Sequence, residues 1–381
     1  MRVTVIGAGV LGASTAFHLA TAGADVVLVD NAHDGRATAA GAGIICPWAS
    51  ECHDQGWYRI ASAGACYYPA LLALLAEQSE NQVDYRRVSA LAVATDQAVL
   101  AGIERILCAR RIEAPEVGAV ARLAPAEARR LFPPLHPRLA AVRVAGGARV
   151  DGRSLTLALR HAAVRRGAHF LAGTAELVAE GARIVGVRVG AERIATDTAV
   201  VAAGVWGPML LEPLGVALAV RPQRGQITHL RLEGVDTESW PIVLPPGSHY
   251  LVPFQAGRVV VGATRESDAG FDCRVTAAGQ AEVLNEALAV APGLARATLV
   301  ETRVGLRPVG PDVRPMLGRS TVLDGLVVGN GLGPSGLTIG PYAGRLLAQV
   351  ALGQQPELDL GLYDASRPWI EPAAAAGDTI R

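Results

Sequence analysis

Gly7-Ala8-Gly9-Val10-Leu11-Gly12 and the acid eighteen positions beyond them, Asp30, are spaced for one task, holding a dinucleotide. Gly7 permits a tight turn out of a preceding strand, Gly9 lets backbone approach a pyrophosphate, and Gly12 lets the following helix pack closely on a sheet. The free N–H groups and positive dipole end of that helix face the phosphates, and Asp30 is placed to accept hydrogen bonds from a ribose. Strand, glycines, helix, second strand and acid come in the expected order, but the motif leaves NAD, NADP and FAD open.

A second set lies near the other end of the chain. In Arg303-Val304-Gly305-Leu306-Arg307-Pro308, strand alternation puts Arg303, Gly305 and Arg307 on one face, and Gly305 leaves room for a ligand against the backbone. An arginine there offers a rigid fork of donors suited to a carboxylate; the competing reading is a solvated or ion-paired side chain. Ser248-His249-Tyr250-Leu251-Val252-Pro253 reads as another strand, whose Tyr250 hydroxyl supports the same carboxylate or is simply satisfied within a core. His249 and His53 have no evident partners, and Trp48, Trp240 and His249 are candidates for shaping a side-chain pocket.

Other chemistries are excluded by composition. All 35 cationic side chains are arginine, so no Schiff base, no Walker-type lysine and no lysine poised over a flavin is available. Cys46, Cys52, Cys66, Cys108 and Cys273 show no CxxC or CxxH spacing and read as thiols in a reducing cytosol, holding neither metal nor disulfides. The formal net charge is zero, which gives no electrostatic reason to expect nucleic acid or an anionic membrane. Ala199 to Val220 and Gly325 to Gly344 are apolar, yet prolines, and in the second case seven glycines, interrupt them as spanning helices.

These residues need elements to position them. Met1 to Ile6 and Asp25 to Val29 read as strands around the first helix; Tyr68 to Gln78 and Gln97 to Arg111 read as helices, and Val88 to Ala94 as a strand. Five prolines from Pro115 to Pro137 mark a loop-rich region. A helix follows Asp151-Gly152, then strands at His169 to Leu171, Leu177 to Ala179, Ile184 to Val189 and Thr198 to Ala202. The last stops at Gly204, where strand ends of open α/β sheets hold cofactors. Val220 to Val261 is strand-rich, as expected of an antiparallel sheet. Gly325 to Gly331 is a buried strand entering a glycine-rich turn, and Gly336 to Leu352 is a helix whose N-terminal dipole suits negative charge on a reduced flavin. The expected fold is α/β (α+β overall), a Rossmann-like domain formed by 1–85, 142–216 and 315–381, interleaved with a substrate domain formed by 86–141 and 217–314 on a largely antiparallel sheet.

Over nearly its whole length the chain resembles the flavin-dependent D-amino-acid oxidase superfamily, most closely the bacterial glycine oxidase and D-amino-acid oxidase or dehydrogenase branch. The resemblance rests on Gly7 to Gly12 with Asp30, Arg36-Ala37-Thr38-Ala39-Ala40-Gly41-Ala42-Gly43-Ile44, Val200 to Trp206, Tyr250 to Pro253, Gly262-Ala263-Thr264, Gly305 to Pro308 and the turn from Gly331 to Thr338. It implies non-covalent FAD held by Val10, Leu11, Asp30, Asn31, Arg36, Ala37, Thr38, Ala42, Gly43, Ile44, Gly204, Leu332, Gly333, Pro334, Ser335, Gly336, Leu337 and Thr338, with Glu176 near the adenine. It implies Arg307 as the catalytic carboxylate clamp assisted by Tyr250. The implied reaction is oxidative deamination of a small or apolar D-amino acid, or glycine. Hydride passes from Cα to flavin N5, and the imine hydrolyses to a 2-oxo acid and ammonia without a protein base. Oxygen or a quinone-type acceptor then reoxidises the flavin. Leu332 stands where the family usually has histidine, and Pro334 where glycine oxidases place arginine, which turns the expectation away from glycine itself. The cysteine and lysine of sarcosine-oxidase relatives are missing. The alternatives are the same chemistry on a secondary amine such as sarcosine or D-proline and, from another class, an NAD(P)-dependent hydroxy-acid dehydrogenase.

Overall fold

In the computed structural model, which describes residues 1–369, the first sheet has six strands in the order Met316–Arg319, Leu326–Asn330, Thr198–Val201, Arg2–Ile6, Asp25–Asp30, His169–Ala172. All neighbours are parallel except the first pair. The central strands are runs of buried β-branched and small residues because both faces are covered. Val3, Val5, Leu28 and Val200 turn toward the helices, while Ile6, Val29, Ala199 and Val201 turn toward an antiparallel sheet formed by Ala175–Glu180, Arg183–Val189 and Glu192–Ala195.

On the helical face, Val10–Thr21 and Gly336–Ala351 cross in close contact. Side chains at Gly340 and Gly344 would meet Val10 and Ser14 at 2.7 and 2.6 Å, so their glycines set how near the two helices come. Both helices therefore begin at the carboxyl edge of the same sheet, the region where open α/β sheets bind ligands.

The second sheet has eight strands in the order Thr298–Val309, Arg221–Arg231, Arg258–Gly262, Tyr250–Pro253, Ile242–Leu244, Ala90–Ala94, Ala140–Val144, Val120–Leu123, antiparallel apart from Ile242–Leu244 against Ala90–Ala94. One face packs under Pro125–Leu131 and Ala277–Val290 through Leu91, Val93, Ala128 and Val283. The first strand of this sheet also meets the nucleotide loop. Leu306 N donates to Gly35 O at 2.8 Å, and the hydrogen-only side of Gly305 lies on the Ala37–Ala40 turn, where a Cβ would be 2.8 Å from that of Ala40.

Two sequence expectations change. The helix expected from Tyr68 runs instead from Gln55 to Ala76, capped by the Asp54 carboxylate accepting from Trp57 N at 2.7 Å. Its first half carries small residues such as Ala61, Gly64 and Ala65, whose low bulk lets it lie against Gly336–Ala351 but gives little periodic signal. Its length and composition would allow it to cross a membrane; here one side of it packs into the fold, with Tyr68 and Leu71 wholly buried. The proline-rich stretch after Pro115 holds the strands Val120–Leu123 and Ala140–Val144 and the helix Pro125–Leu131. Pro125 occupies the first turn, where no N–H is needed, so a residue read as a breaker is a starter. The division into two interleaved units stands as our proposal with one change: a cut at 141/142 would split Ala140–Val144, which stays with the second sheet. Residues 370–381 lie outside the described residues.

Candidate active site

The carboxyl edge of the parallel sheet opens into one continuous cavity of about 710 Å³, whose wall includes both Glu176 and Arg307. Its nucleotide half starts at the glycine turn. Gly7 has φ +100°, and a Cβ there would sit 2.5 Å from Ala202 O, so only glycine fits. Gly9, Val10 and Leu11 form the wall, and the helix they begin has no acidic residue in its first turn to offset its positive end. Thr38 Oγ accepts from Val10 N at 3.2 Å, tying the second loop to that helix start. Asp30 Oδ2 accepts from Ala8 N and Oδ1 from Ala32 N, both at 2.6 Å, fixing the carboxylate at the wall with lone pairs to spare for hydroxyl donors. Asn31, Arg36, Ala37, Ala42, Gly43, Ile44, Glu176 and Gly204 line the same space.

The C-terminal return completes this half. Leu332, Gly333, Pro334, Gly336 and Leu337 line the cavity ahead of a helix that also lacks an acid in its first turn. Asn330, wholly buried and not anticipated from the sequence, donates to Gly204 O at 2.8 Å and accepts from Gly331 N at 2.8 Å, joining two loops of the wall. The constricted backbone at Gly7, two uncompensated helix starts and a fixed acid on the second strand fit an anionic dinucleotide.

On the second sheet's part of the wall, Arg307 pairs across the strands with Gln223, and Gly225 with Gly305. The guanidinium lies directly over Gly225 and donates to Thr264 O at 2.9 Å and to Gln223 Oε1 at 3.4 Å. Its hydrogen-bond acceptors are neutral carbonyls, and the carboxylate that acts on its charge is Glu266, from behind the site. Burial lowers its pKa, while the adjacent Tyr250 favours the charged form. Burial raises the Tyr250 phenol above its usual range, against the pull of Arg307 and Arg265, so the hydroxyl stays a donor at neutral pH. Arg265 also lines the cavity, and no signal in the sequence marked it. Behind these groups Glu266 accepts from Arg224, from Thr264 Oγ at 2.7 Å and from Gln226 Nε2 at 2.8 Å. Burial works against that carboxylate, yet these hydrogen bonds hold it below its ordinary pKa. Of the titratable bases of the wall, Asp30 ends a strand of the first sheet, His33 follows that strand, and Glu176 lies in Ala175–Glu180 of the three-stranded sheet.

Several expected residues lie elsewhere. Gly12 is behind the wall, packed on the Gly7 backbone as its helix-packing role requires. Ser335 Oγ accepts from Trp57 Nε1 at 3.0 Å, and Thr338 Oγ donates to Ile44 O at 3.1 Å; neither lines the cavity. Arg303 pairs with Glu301 at 2.5 Å, outside the cavity wall, the ion-paired outcome. The room beside Gly305 is taken by Ala40, although its backbone lines the cavity. Trp48 is core, Trp240 packs on Phe132, and His249 lies 3.5 Å from Glu282; none of these, nor His53, lines the cavity. Among the described residues no cluster of three or more histidine, cysteine, aspartate or glutamate side chains is grouped for a metal ion.

Comparison with known proteins agrees with this geometry. Residues 2–350 match the family described as DAO, FAD dependent oxidoreductase. The chain is 47% identical to the uncharacterized oxidoreductase YurR of Bacillus subtilis, covering 94% of this chain and 97% of that one. It is 31% identical to a glycine oxidase of Pseudomonas aeruginosa, over 95% of this chain and 98% of the other. Among solved structures, iminodiacetate oxidase from Chelativorans sp. BNC1 superposes with a TM-score of 0.93 at 49% identity, covering 96% of this chain and 99% of that one. With a cavity shaped for a dinucleotide and a family match across nine-tenths of its length, this chain belongs to the DAO family of FAD-dependent oxidoreductases.

Proposed function

We propose that the protein oxidises the Cα–N bond of a small amino-acid carboxylate, with Arg307 as the carboxylate anchor and Tyr250 as a second donor. One observation carries this reading: a guanidinium held in place by neutral carbonyls, with no carboxylate in hydrogen-bond or ion-pair contact among the described residues, on the wall of a cavity whose remainder suits FAD. The residues proposed to hold that cofactor are Gly7, Gly9, Val10, Leu11, Asp30, Asn31, Arg36 to Thr38, Ala42 to Ile44, Glu176, Gly204 and Leu332 to Leu337 without Ser335.

In the reaction, substrate C–H and N–H bonds are lost as two electrons and two protons, a C=N bond forms, and water splits it into an amine and a 2-oxo acid. When bound, FAD supplies the two-electron acceptor. The chain's own part is positioning: Arg307 fixes the carboxylate, Tyr250 donates from beside it, and Ile227, Leu332 and Leu337 supply apolar wall that limits water. No base need act if the amine enters neutral, which matches an Arg307 region lined by cations, a phenol and apolar groups.

Membership in an FAD family sets aside the NAD(P)-linked alternative. Within the amine class, the 49% identical structure named as an iminodiacetate oxidase favours a secondary amine over the primary D-amino acid first expected. Five free cysteines suit a reducing compartment, and we place the enzyme in the cytosol.

The test is anaerobic flavin bleaching by the FAD-loaded protein with N-carboxymethyl and N-methyl amino acids, D-amino acids, glycine and 2-hydroxy acids. Bleaching by secondary amines is expected. Bleaching by hydroxy acids alone would overturn the proposal. The rate of colour return on aeration separates oxygen from a quinone-type acceptor.

A further inference from the structure

We infer that the substrate carries two carboxylates flanking its amine, and that Arg265 is the specificity residue receiving the second while Arg307 holds the first. This rests on the amine-oxidation reading and narrows it to a chemical class.

The argument is one of charge. Arg265 and Arg307 line one cavity, both act on the Tyr250 hydroxyl, and the charge of Arg307 bears on Arg265. Arg265 has no hydrogen bond to a side chain or ion pair among the described residues. The nearby acids are already used. Glu266, its chain neighbour, is bound by Arg224, Thr264 and Gln226, and Asp272 is bound by Arg224 at 2.8 Å and by Arg274 at 3.0 Å. Burial and then repulsion from Arg307 both lower the pKa of Arg265, yet an arginine side chain stays protonated in proteins. Arg265 is exposed to the open cavity and Arg307 faces only Glu266 from behind, so this part of the wall keeps an excess of positive charge that an anionic ligand can match.

Thr264 O accepts from Arg307, and the next residue is Arg265, so one short segment after the strand Arg258–Gly262 orients both guanidinium groups. A monocarboxylate leaves one cation unmatched; a dicarboxylate matches both. The second carboxylate can sit on the N-substituent, as in iminodiacetate, or on the side chain, as in aspartate. Either supplies the same two anions.

The holoenzyme is tested in two ways. First, perturbation of the flavin spectrum is titrated with oxydiacetate, which has two carboxylates and no nitrogen to oxidise, and with methoxyacetate, which has one. Oxydiacetate is expected to bind at least about 30-fold more tightly, a ratio that falls below about threefold in Arg265→Gln and recovers partly in Arg265→Lys. Second, kcat/KM for iminodiacetate and D-aspartate is compared with that for sarcosine and D-alanine. Arg265→Gln is expected to lose about 100-fold on the preferred dicarboxylate and less than about threefold on the monocarboxylates, and the better of iminodiacetate and D-aspartate locates the second anion.

Equal binding of the two ether acids by the parent protein, or an unchanged ratio in Arg265→Gln, would overturn the inference. So would better turnover of monocarboxylates than dicarboxylates, and the amine-oxidation reading would survive that result. Tight, Arg265-dependent binding of oxydiacetate with no bleaching by any amine would support the two-carboxylate site and remove the amine reading instead.

Discussion

Gly225→Ala adds one methyl group, and the structure says where it goes. A Cβ on this residue would lie 2.6 Å from Arg307 Cζ and 2.6 to 2.7 Å from its terminal nitrogens. Gly225 lies in a regular strand opposite Gly305 and outside the left-handed region, so alanine suits the backbone. The strain falls on the free end of a flexible side chain, and moving it out to about 3.4 Å displaces the guanidinium by roughly 0.8 Å. That displacement weakens the bonds to Thr264 O and Gln223 Oε1 and shifts the carboxylate it grips. A misplacement of about 1 Å in a positioned substrate can cost about 100-fold in rate, or roughly 2.7 kcal/mol of transition-state stabilisation. Flavin-reduction kinetics should therefore show kcat/KM down about 100-fold, with flavin content unchanged and Tm within about 3 °C of the parent. An intact variant whose kcat/KM stays within twofold would refute the idea that Arg307 works from this position. A Tm loss above about 10 °C would show instead that the strand pair cannot accept the methyl.

Three further outcomes are expected. Arg307→Gln should retain flavin but lower kcat/KM by about 100- to 1,000-fold, measured by anaerobic bleaching; retained turnover would remove Arg307 as the anchor. Asp30→Ala frees Ala8 N and Ala32 N from their acceptor and removes the ribose partner, so FAD affinity should fall about 10- to 100-fold by fluorescence titration of the apoprotein. Burial lowers the pKa of His18 to about 3 and of His229 to about 4, so both are neutral in the fold. The unfolded chain takes up their protons from about pH 6.5 downward. Their contribution to stability is thus complete above about pH 6.5, is lost progressively as pH falls to about 4 for His229 and about 3 for His18, and changes no further below that. His229 has neither ring nitrogen hydrogen-bonded, with Glu301 4.0 Å away, so His229→Leu should make urea midpoints less pH-dependent between pH 6.5 and 4. An identical pH slope would contradict this.

What the sequence revealed was carried by neighbours in the chain. The glycine turn, Asp30 at the end of its strand and the Gly331–Thr338 return depend on local backbone geometry, which composition and spacing record. Arg307 was legible because a strand pattern with Gly305 surrounds it. Arg265 was not, because it is one of 35 cations and only its lack of a carboxylate partner, a tertiary fact, separates it from Arg303, which has one. Gly225 and Asn330 are informative through what they touch across strands, and no spacing rule reports that. The first half of Gln55–Ala76 hid because small residues pack well without producing an amphipathic stripe. Trp48 took the core role that large aromatic side chains commonly have, and Trp240 packs half-buried against Phe132 at the edge of a core.

The bond from Leu306 N to Gly35 O, with Gly305 seated on the Ala37–Ala40 turn, makes the strand bearing Arg307 a neighbour of the loop that carries Arg36 to Thr38. This contact is expected to let ordering of either side order the other, which would give the two ligands a coupling free energy that is reciprocal. A carboxylate held by Arg307 should lengthen the residence time of FAD by the same factor by which FAD tightens the carboxylate, if association rates stay constant. Purification in the presence of a bound acid would then preserve flavin occupancy, and dilution without one would promote its loss. The enzyme's supply of substrate would thereby set how long each molecule remains loaded.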